Sequence, residues 1–438
     1  MAIYSKDEAK QILDKALSYS KAETCEANLS GDNSGNIRYA RNTVSTAGYQ
    51  NNQNLVVQSS FGKRVGVATV DELTDESIAR AVKTSEELAK LAPENPEFMP
   101  PLGPQKYEES KQFFKSTENI NPEYRADVAA KSIEPARAKD VTAAGFLNDS
   151  SNFNAMANSN GLFAYNKSTG LNFTVTMRSN DGTGSGWVTR DVNDVDLFDA
   201  EEASAIAIDK ALQSREAKAI EPGKYTVILE PAASEQLLNN MFGSFNARTA
   251  DEGRSFMSKE GGGTKLGEKI VDERVNIYSD PQNPLVPGGT WNGGGIPLKK
   301  MDWLKGGVVQ NLFYSRYWAE QKGVDPVPFP PNGIMEGGDA SLEDMIKDTK
   351  KGVLVTRLWY IRTVDPQTLL YTGLTRDGTF FIENGKIKHP VKNFRFNESP
   401  IIMLNNLETL GQQVRINGSL IPYMKVRDFT FTSLSDAV

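Results

Sequence analysis

In SKDEAKQILDKAL, near the start of the chain, Ala9, Ile12, Leu13, Ala16 and Leu17 recur at intervals of three and four, and Ser5 precedes Glu8 by three residues. This is the reciprocal spacing of a capping box ahead of an amphipathic stripe, and it predicts a helix starting just after Ser5. From Cys25 to Val70 the period shortens to two. CEANLS, NIRYARNTVSTAG, NLVVQSSFG and KRVGVATV carry β-branched and aromatic residues punctuated by Gly, Asn and Ser, the pattern of a small antiparallel sheet. TDESIARAVKTSEELAKL returns to helical spacing, with Ile78, Ala81, Val82, Leu88 and Leu91 as the expected buried stripe. Helix, strands, helix describes an α+β unit over residues 1–92.

Prolines at 93, 96, 100, 101 and 104 forbid a helix or a central strand, so residues 93–112 read as a linker. A second α+β unit is expected over 113–220. It has a helix from Tyr124 to Glu134 stopped by Pro135, a strand meander with a hairpin at Asn160-Gly161, and a closing helix from Glu201 to Ser214. Beyond Glu221-Pro222-Gly223, KYTVILE is a buried strand that feeds a helix containing LLNNMFGS. The remainder of 221–438 is β-rich, with strands at RVNIYSD, KGGVVQNLFYSR, GVLVTRLWYIRTV, TGLTRDGTFFIENGKI and FRFNES, and a short helix after Ser341 or Asp339. The expected fold class is α+β: N-terminal units with small antiparallel sheets, then a larger β-rich C-terminal domain.

Composition narrows the chemistry. The 438 residues leave room for several domains, and 39% hydrophobic content suits a globular chain. Lys and Arg number 49 against 56 Asp and Glu, and no basic run could follow a phosphate backbone, so a nucleic-acid partner is not expected. With no long apolar segment and a charged opening, the expectation is a cytoplasmic protein without membrane contact. Cys25 and His389 are the only residues of their kinds. That excludes an intrachain disulfide and a Cys/His zinc cluster, and allows one imidazole at most for proton transfer. The glycine-rich stretch from Asp181 to Trp187 matches neither a dinucleotide fingerprint nor a P-loop and reads as a hairpin loop, as Gly261–Gly263 and Gly293–Gly295 read as flexible loops. There is no G-x-S-x-G elbow, and Asp251-Glu252 beside Arg254 fits a solvated charged loop.

Within LLNNMFGS, Leu237, Leu238, Met241 and Phe242 form a core-facing stripe, so the helix packs whatever else it does. The succession YTVILEP, LLNNMFGS, EGRSF, KLGEKI and GGVVQNLFYSRYWAEQKG, and above all TRDGTFFIENGKIKHPVKNFRF from Thr375 to Phe396, resembles the C-terminal half of the TldD/PmbA family. NIRYARNTVSTAGYQ, SFGKRVGVATV and ELTDESIARAVKTSEELAKL resemble that family's first domain. In the TldD branch this helix carries HExxxH, whose histidines bind zinc and whose glutamate is the general base. Alignment through the shared Leu pair puts Asn239 and Ser244 in the histidine positions and Asn240 in the glutamate position. The PmbA (TldE) branch, which lacks HExxxH, is therefore the closer match.

The resemblance implies a zinc-free subunit of a TldD/TldE-type metalloprotease acting on unfolded or modified peptides. This chain would shape the substrate chamber while an HExxxH-containing TldD-like homologue, as heterodimer partner, supplies zinc; no cofactor and no catalytic residue is expected in this chain. The alternative is a non-enzymatic homodimer that binds peptides or another protein. Donor chemistry points the same way, because Asn and Ser are neutral oxygen donors where zinc takes imidazole, thiolate or carboxylate, and an amide at Asn240 is no base. Positions i and i+5 stand about 140° apart on a helix, so such a pair requires the helix to widen or end near the second, and Gly243 precedes Ser244 there. His389, beside Pro390, reads as a lone edge-strand residue.

Overall fold

The computed structural model describes residues 3–435. Helix α1 (Lys6–Tyr19) starts with the capping box: Ser5 Oγ accepts from the Glu8 amide at 3.3 Å, and the Ser5 amide donates to the Glu8 carboxylate at 2.8 Å. Then come β1 (Thr24–Ala40), β2 (Thr43–Phe61), β3 (Arg64–Val70), α2 (Asp75–Leu91), a one-turn α3 (Lys115–Glu118), α4 (Pro122–Ala138), β4 (Val141–Asn158), β5 (Phe163–Ser179), β6 (Ser185–Val192) and α5 (Ala200–Gln213). NIRYARNTVSTAG is not one strand but a hairpin, turned at Arg41 and Asn42, both with positive φ.

The strands expected in two small sheets join in one. Its order is β3-β2-β1-β4-β5-β6, with every neighbouring pair antiparallel, and β1 meets β4 from Glu26 opposite Asn158 to Tyr39 opposite Gly145. The proline-rich segment is strapped to the β4–β5 hairpin, whose Asn158 and Asn160 side chains donate to the carbonyls of Leu102 and Pro101.

All four longer helices cover one face of this sheet. α1 and α2 pack over Leu29, Leu55, Val57 and Phe153, while α4 and α5 pack over Ile37, Leu147, Phe173 and Val175. The stripe of α2 departs from expectation: Leu88 and Leu91 are 45% and 84% exposed, and the buried line runs through Ile78, Val82, Ser85 and Ala89. Small residues are needed because α2 lies directly on β3, where a Cβ on Gly66 would stand 2.1 Å from the Ser85 carbonyl oxygen. Pro135 does not stop α4, which continues to Ala138. So near the C-terminus the missing N–H removes one intrahelical bond and leaves the rest intact. Arg125 of α4 lies on Gly35 of β1 and holds Asp149 of β4 through two bonds, Nε to Oδ1 at 2.6 Å and Nη2 to Oδ2 at 2.8 Å.

The C-terminal part contains β7 (Lys224–Leu229), α6 (Pro231–Gly243), α7 (Ala247–Asp251), β8 (Ile277–Ser279), β9 (Met301–Lys305), β10 (Val308–Val309), α8 (Arg316–Lys322), β11 (Ile334–Met335) and α9 (Leu342–Lys347). After these come β12 (Lys351–Val355), β13 (Leu358–Asp365), β14 (Leu370–Thr375), β15 (Thr379–Glu383), β16 (Lys386–Pro390), β17 (Phe394–Glu398), α10 (Pro400–Asn405), β18 (Leu407–Ile416) and β19 (Ser419–Leu434). Ser341 is the α9 cap. KGGVVQNLFYSR yields only the two-residue β10, and GVLVTRLWYIRTV is two strands. The larger sheet is mixed: β7 lies between parallel β12 and antiparallel β19, and the long β19 also pairs with β18, β11 and β17. Among the described residues no helix is long and apolar enough to cross a membrane.

Candidate functional site

β7 passes into α6 through Glu230, whose amide donates to the Val355 carbonyl at 3.1 Å and whose carboxylate holds Lys210 of α5 at 2.6 Å. Pro231 occupies the first helical turn, where no N–H is required. The apolar face of α6 enters the main C-terminal core as its stripe predicts: Leu237 and Met241 are fully buried, and the Phe242 ring lies 5.2 Å from Phe245 and edge-on to Trp303. The helix ends at Gly243, with Ser244 as its C-cap. Gly243 is exposed and a Cβ there would meet nothing within 4 Å, so close packing does not account for the glycine.

Three residues stand at the aligned positions, and their hydrogen bonds lead to different partners. Asn239 is exposed and donates through its amide to the Glu235 carboxylate one turn earlier. Asn240 is half-buried, and its main-chain carbonyl accepts from the Tyr371 hydroxyl at 3.4 Å. Ser244 is buried; its hydroxyl donates to the Met241 carbonyl at 2.7 Å and its own carbonyl accepts from Ser255 at 3.3 Å. This donor set does not fit zinc: two neutral amides and a hydroxyl already committed to a helix carbonyl offer no anionic or imidazole ligand. Among the described residues no group of three or more His, Cys, Asp or Glu is placed to hold a metal ion. His389 lies in β16, stacked on Phe381 at 5.4 Å, with Nδ1 3.0 Å from the Pro390 carbonyl oxygen.

The sequence reading missed a polar junction on the same helix. Glu235 is buried, and desolvation pushes its carboxyl pKa up; hydrogen bonds from the Asn417 and Asn239 side chains oppose that rise, and the nearby Asp191 carboxylate adds to it. Asp191 belongs to β6, so the junction ties α6 to the N-terminal sheet. Its Oδ2 accepts from Arg415 Nε and from the Gly418 amide, both at 2.9 Å, while Oδ1 is buried without a hydrogen-bond partner. A Glu four residues before an Asn, one helical turn apart, was the available signal.

A second junction centres on Asp377, in the turn between β14 and β15, inside the stretch that carries the family resemblance most specifically. Asp377 is 2% exposed and accepts from Ser185 of β6 at 2.6 Å and from Arg357 Nη1 at 2.5 Å. Burial lowers the Arg357 pKa despite that contact, and the guanidinium stacks 3.9 Å from the Trp187 ring. A cavity of about 240 Å³ opens beside it. The glycine-rich hairpin of residues 181–187 connects β5 to β6, and Gly184 and Gly186 are required there because their missing side chains admit the α5 backbone, 2.1 and 2.2 Å from where each Cβ would stand.

Asp191 also marks one end of the sheet face that the helices leave uncovered. Cross-strand rows there are polar: Asn54, Ser30, Asn154 and Asn166 stand side by side across four strands, as do Asn52, Asp32, Asn152 and Ser168 in the next row. Two adjoining hollows of about 330 and 370 Å³ follow these rows, the first walled by Thr290 and Trp291 from the C-terminal part. The wall is pinned by Tyr107, whose hydroxyl donates to the Gly295 carbonyl at 2.8 Å. Asn54 Oδ1 is buried with no hydrogen-bond partner. The first row, three amides and a hydroxyl, offers a donor and an acceptor at each position without formal charge, which suits the peptide groups of an extended chain of any sequence.

Comparison with known proteins agrees with this architecture. Residues 25–89, 102–215 and 222–433 match, in order, domain 1, the central domain and the C-terminal domain of PmbA/TldA metallopeptidases. The fold is similar to that of TldE from Thermococcus kodakarensis, with TM-score 0.87 and 19% identity, covering 97% of this chain and 99% of that one. A metalloprotease of Methanothermobacter thermautotrophicus is 25% identical over 238 residues, covering 50% of this chain and 49% of its own length. Metalloprotease PmbA of Escherichia coli O157:H7 is 24% identical over 175 residues, 37% of each chain. This chain thus spans about half or less of the length of these two metalloproteases. With all three family domains matched in order, the chain belongs to the PmbA/TldD family of metallopeptidase-like proteins.

Proposed function

We propose that this chain is a zinc-free subunit of a TldD/TldE-type peptidase, which shapes the chamber for unfolded or modified peptides while a homologous HExxxH-bearing subunit supplies zinc. The observation that carries this reading is the donor set of α6. In the alignment through Leu237 and Leu238, Asn239 and Ser244 take the places of two zinc-binding histidines and Asn240 that of the glutamate which activates water, and none of the three can do either. The amide-lined sheet face supports the substrate side of the reading. Asn154 and Asn166 would hydrogen-bond peptide groups of an extended chain, and Trp291 would bear on its side chains. No catalytic step is assigned to this chain.

The test is titration of the full chain with a fluorescently labelled unstructured peptide. Saturable binding that weakens about thirtyfold in Asn154→Leu/Asn166→Leu, through loss of two hydrogen bonds worth about 1 kcal/mol each, is the expected result. Equal binding by the variant would remove the sheet face from the proposal.

A further inference from the structure

Guanidinium groups and aromatic rings alternate along a path that leads from the Asp377 junction to the surface. Arg357 stacks on Trp187 and pairs with Asp377, and Arg376 Nε stands 3.9 Å from the same carboxylate. The Arg376 guanidinium lies 4.1 Å from the Trp359 ring, the Trp359 and Tyr360 rings are 5.3 Å apart, and the Arg362 guanidinium lies 4.5 Å from the Tyr360 ring. Neighbours in a regular strand point to opposite faces. Here the register shift between Trp359 and Arg362, with Tyr360 at a φ of 56° that tyrosine rarely adopts, brings two consecutive rings together, 36% and 55% exposed. Both belong to the outer side of β13, β14 and β17, whose inner side sends Leu358, Tyr371 and Phe396 into the core. Trp359, Leu374 and Arg395 form one outer cross-strand row, and Arg362, Thr372 and Asn397 form another. Neither row holds a carboxylate. Arg362 and Arg395 are exposed, and among the described residues neither makes an ion pair or a side-chain hydrogen bond.

We propose that this outer face docks an acidic, extended segment of another polypeptide, with Arg362 and Arg395 holding its carboxylates and Trp359 and Tyr360 bearing on its main chain. Charge complementarity selects the occupant. Four guanidinium groups meet one carboxylate here, that of Asp377, which is 2% exposed, although the chain as a whole carries a net charge of −7. A guanidinium stacked on a ring keeps its N–H edge open for two parallel bonds to a carboxylate. Arg362 and Arg395 are rooted about 12 Å apart, two strand spacings across and two residues along, a distance that carboxylates three or four residues apart on an extended peptide span. Separate cations at that interval suit discrete carboxylates better than the continuous charge of a phosphate backbone. The two register shifts of β13 interrupt its free edge, so recognition runs through side chains and not through an added strand. This inference does not rest on the peptidase reading, whose amide-lined face takes uncharged peptide groups on a different sheet.

Fluorescence anisotropy of the full chain tests it, with a labelled Gly/Ser peptide of about twelve residues carrying Glu at every third position, beside the same peptide with Gln for each Glu. The expected result is saturable binding of the Glu peptide, about tenfold tighter than that of the Gln peptide and weakened by added salt. Arg362→Gln/Arg395→Gln is expected to lower the affinity for the Glu peptide about tenfold with circular dichroism and thermal unfolding unchanged, while Asn154→Leu/Asn166→Leu binds it like the native chain. The comparison of the two peptides needs no variant, so it decides the matter whatever the substitutions do to folding. Equal affinity for the two peptides, or native affinity in the arginine variant, would overturn the proposal. A loss in the asparagine variant instead would also overturn it and assign the peptide to the amide-lined face. So would tighter binding of a single-stranded oligonucleotide of the same net charge, lost in the arginine variant, which would make the face a nucleic-acid site.

Discussion

Removal of the Asp149 carboxylate isolates one buried interaction whose size can be worked out from its surroundings. Arg125 and Asp149 side chains are 6% and 8% exposed, and two N–H···O bonds join them. The guanidinium fills the space a side chain would take on Gly35, so it is held against β1 and cannot simply swing to solvent. Asp149→Ala leaves that cation buried without its counter-charge, a change that costs about 3–5 kcal/mol. Set against a typical stability of about 5–15 kcal/mol, that is a large fraction of the whole. Urea unfolding followed by far-ultraviolet circular dichroism is the assay, with a marked fall in midpoint expected. The double variant Arg125→Met/Asp149→Leu, which removes both charges and keeps the volume, should recover most of the loss. A cost for Asp149→Ala below about 1 kcal/mol, the range of a solvent-exposed pair, would refute the reasoning, as would a double variant no better than the single one.

Two further substitutions test the packing and the α6 junction. Gly66→Ala drives a methyl group into the α2 backbone at Ser85 and Ala89, neither of which can yield as a side-chain tip would; a loss of about 1–3 kcal/mol in the same unfolding assay is expected. Because burial raises the Glu235 pKa above its ordinary 4.5, the fold favours the protonated acid. Its contribution is complete below that ordinary value and is lost as pH rises through the raised one. Glu235→Gln, which imitates the protonated form, should therefore raise the melting temperature relative to the native chain at neutral pH and not under acid conditions. A constant difference across that window would contradict the assignment.

The elements legible in the sequence are those set by neighbours in sequence. The Ser5–Glu8 box, the start of α2 after Thr74 and the Asn160-Gly161 turn each depend on a few adjacent residues, and each lies where the pattern puts it. The joining of the two N-terminal units was not legible, because β1 and β4 pair across more than a hundred residues and no local signal marks the partner of an edge. The α2 stripe was misjudged for a related reason: what chose Ser85 and Ala89 over Leu88 and Leu91 was the closeness of β3 at Gly66, a fact about tertiary approach. At α6 the apolar face was readable from spacing. The Glu235–Asp191 junction was not, since Asp191 arrives from another sheet. The strand meander around Asn160-Gly161 was legible, but the open polar face of Asn152, Asn154 and Asn166 exists only once the sheet is assembled.

The most direct test of the central claim measures zinc content and peptide cleavage for the purified chain alone and then after mixing with an HExxxH-bearing homologue from the same organism. The account predicts a chain that takes up no stoichiometric zinc and cleaves nothing by itself, and cleavage that appears or rises several-fold on mixing. Stoichiometric zinc in the isolated chain, or peptide cleavage without the homologue, would contradict it and place the chemistry at residues other than Asn239, Asn240 and Ser244.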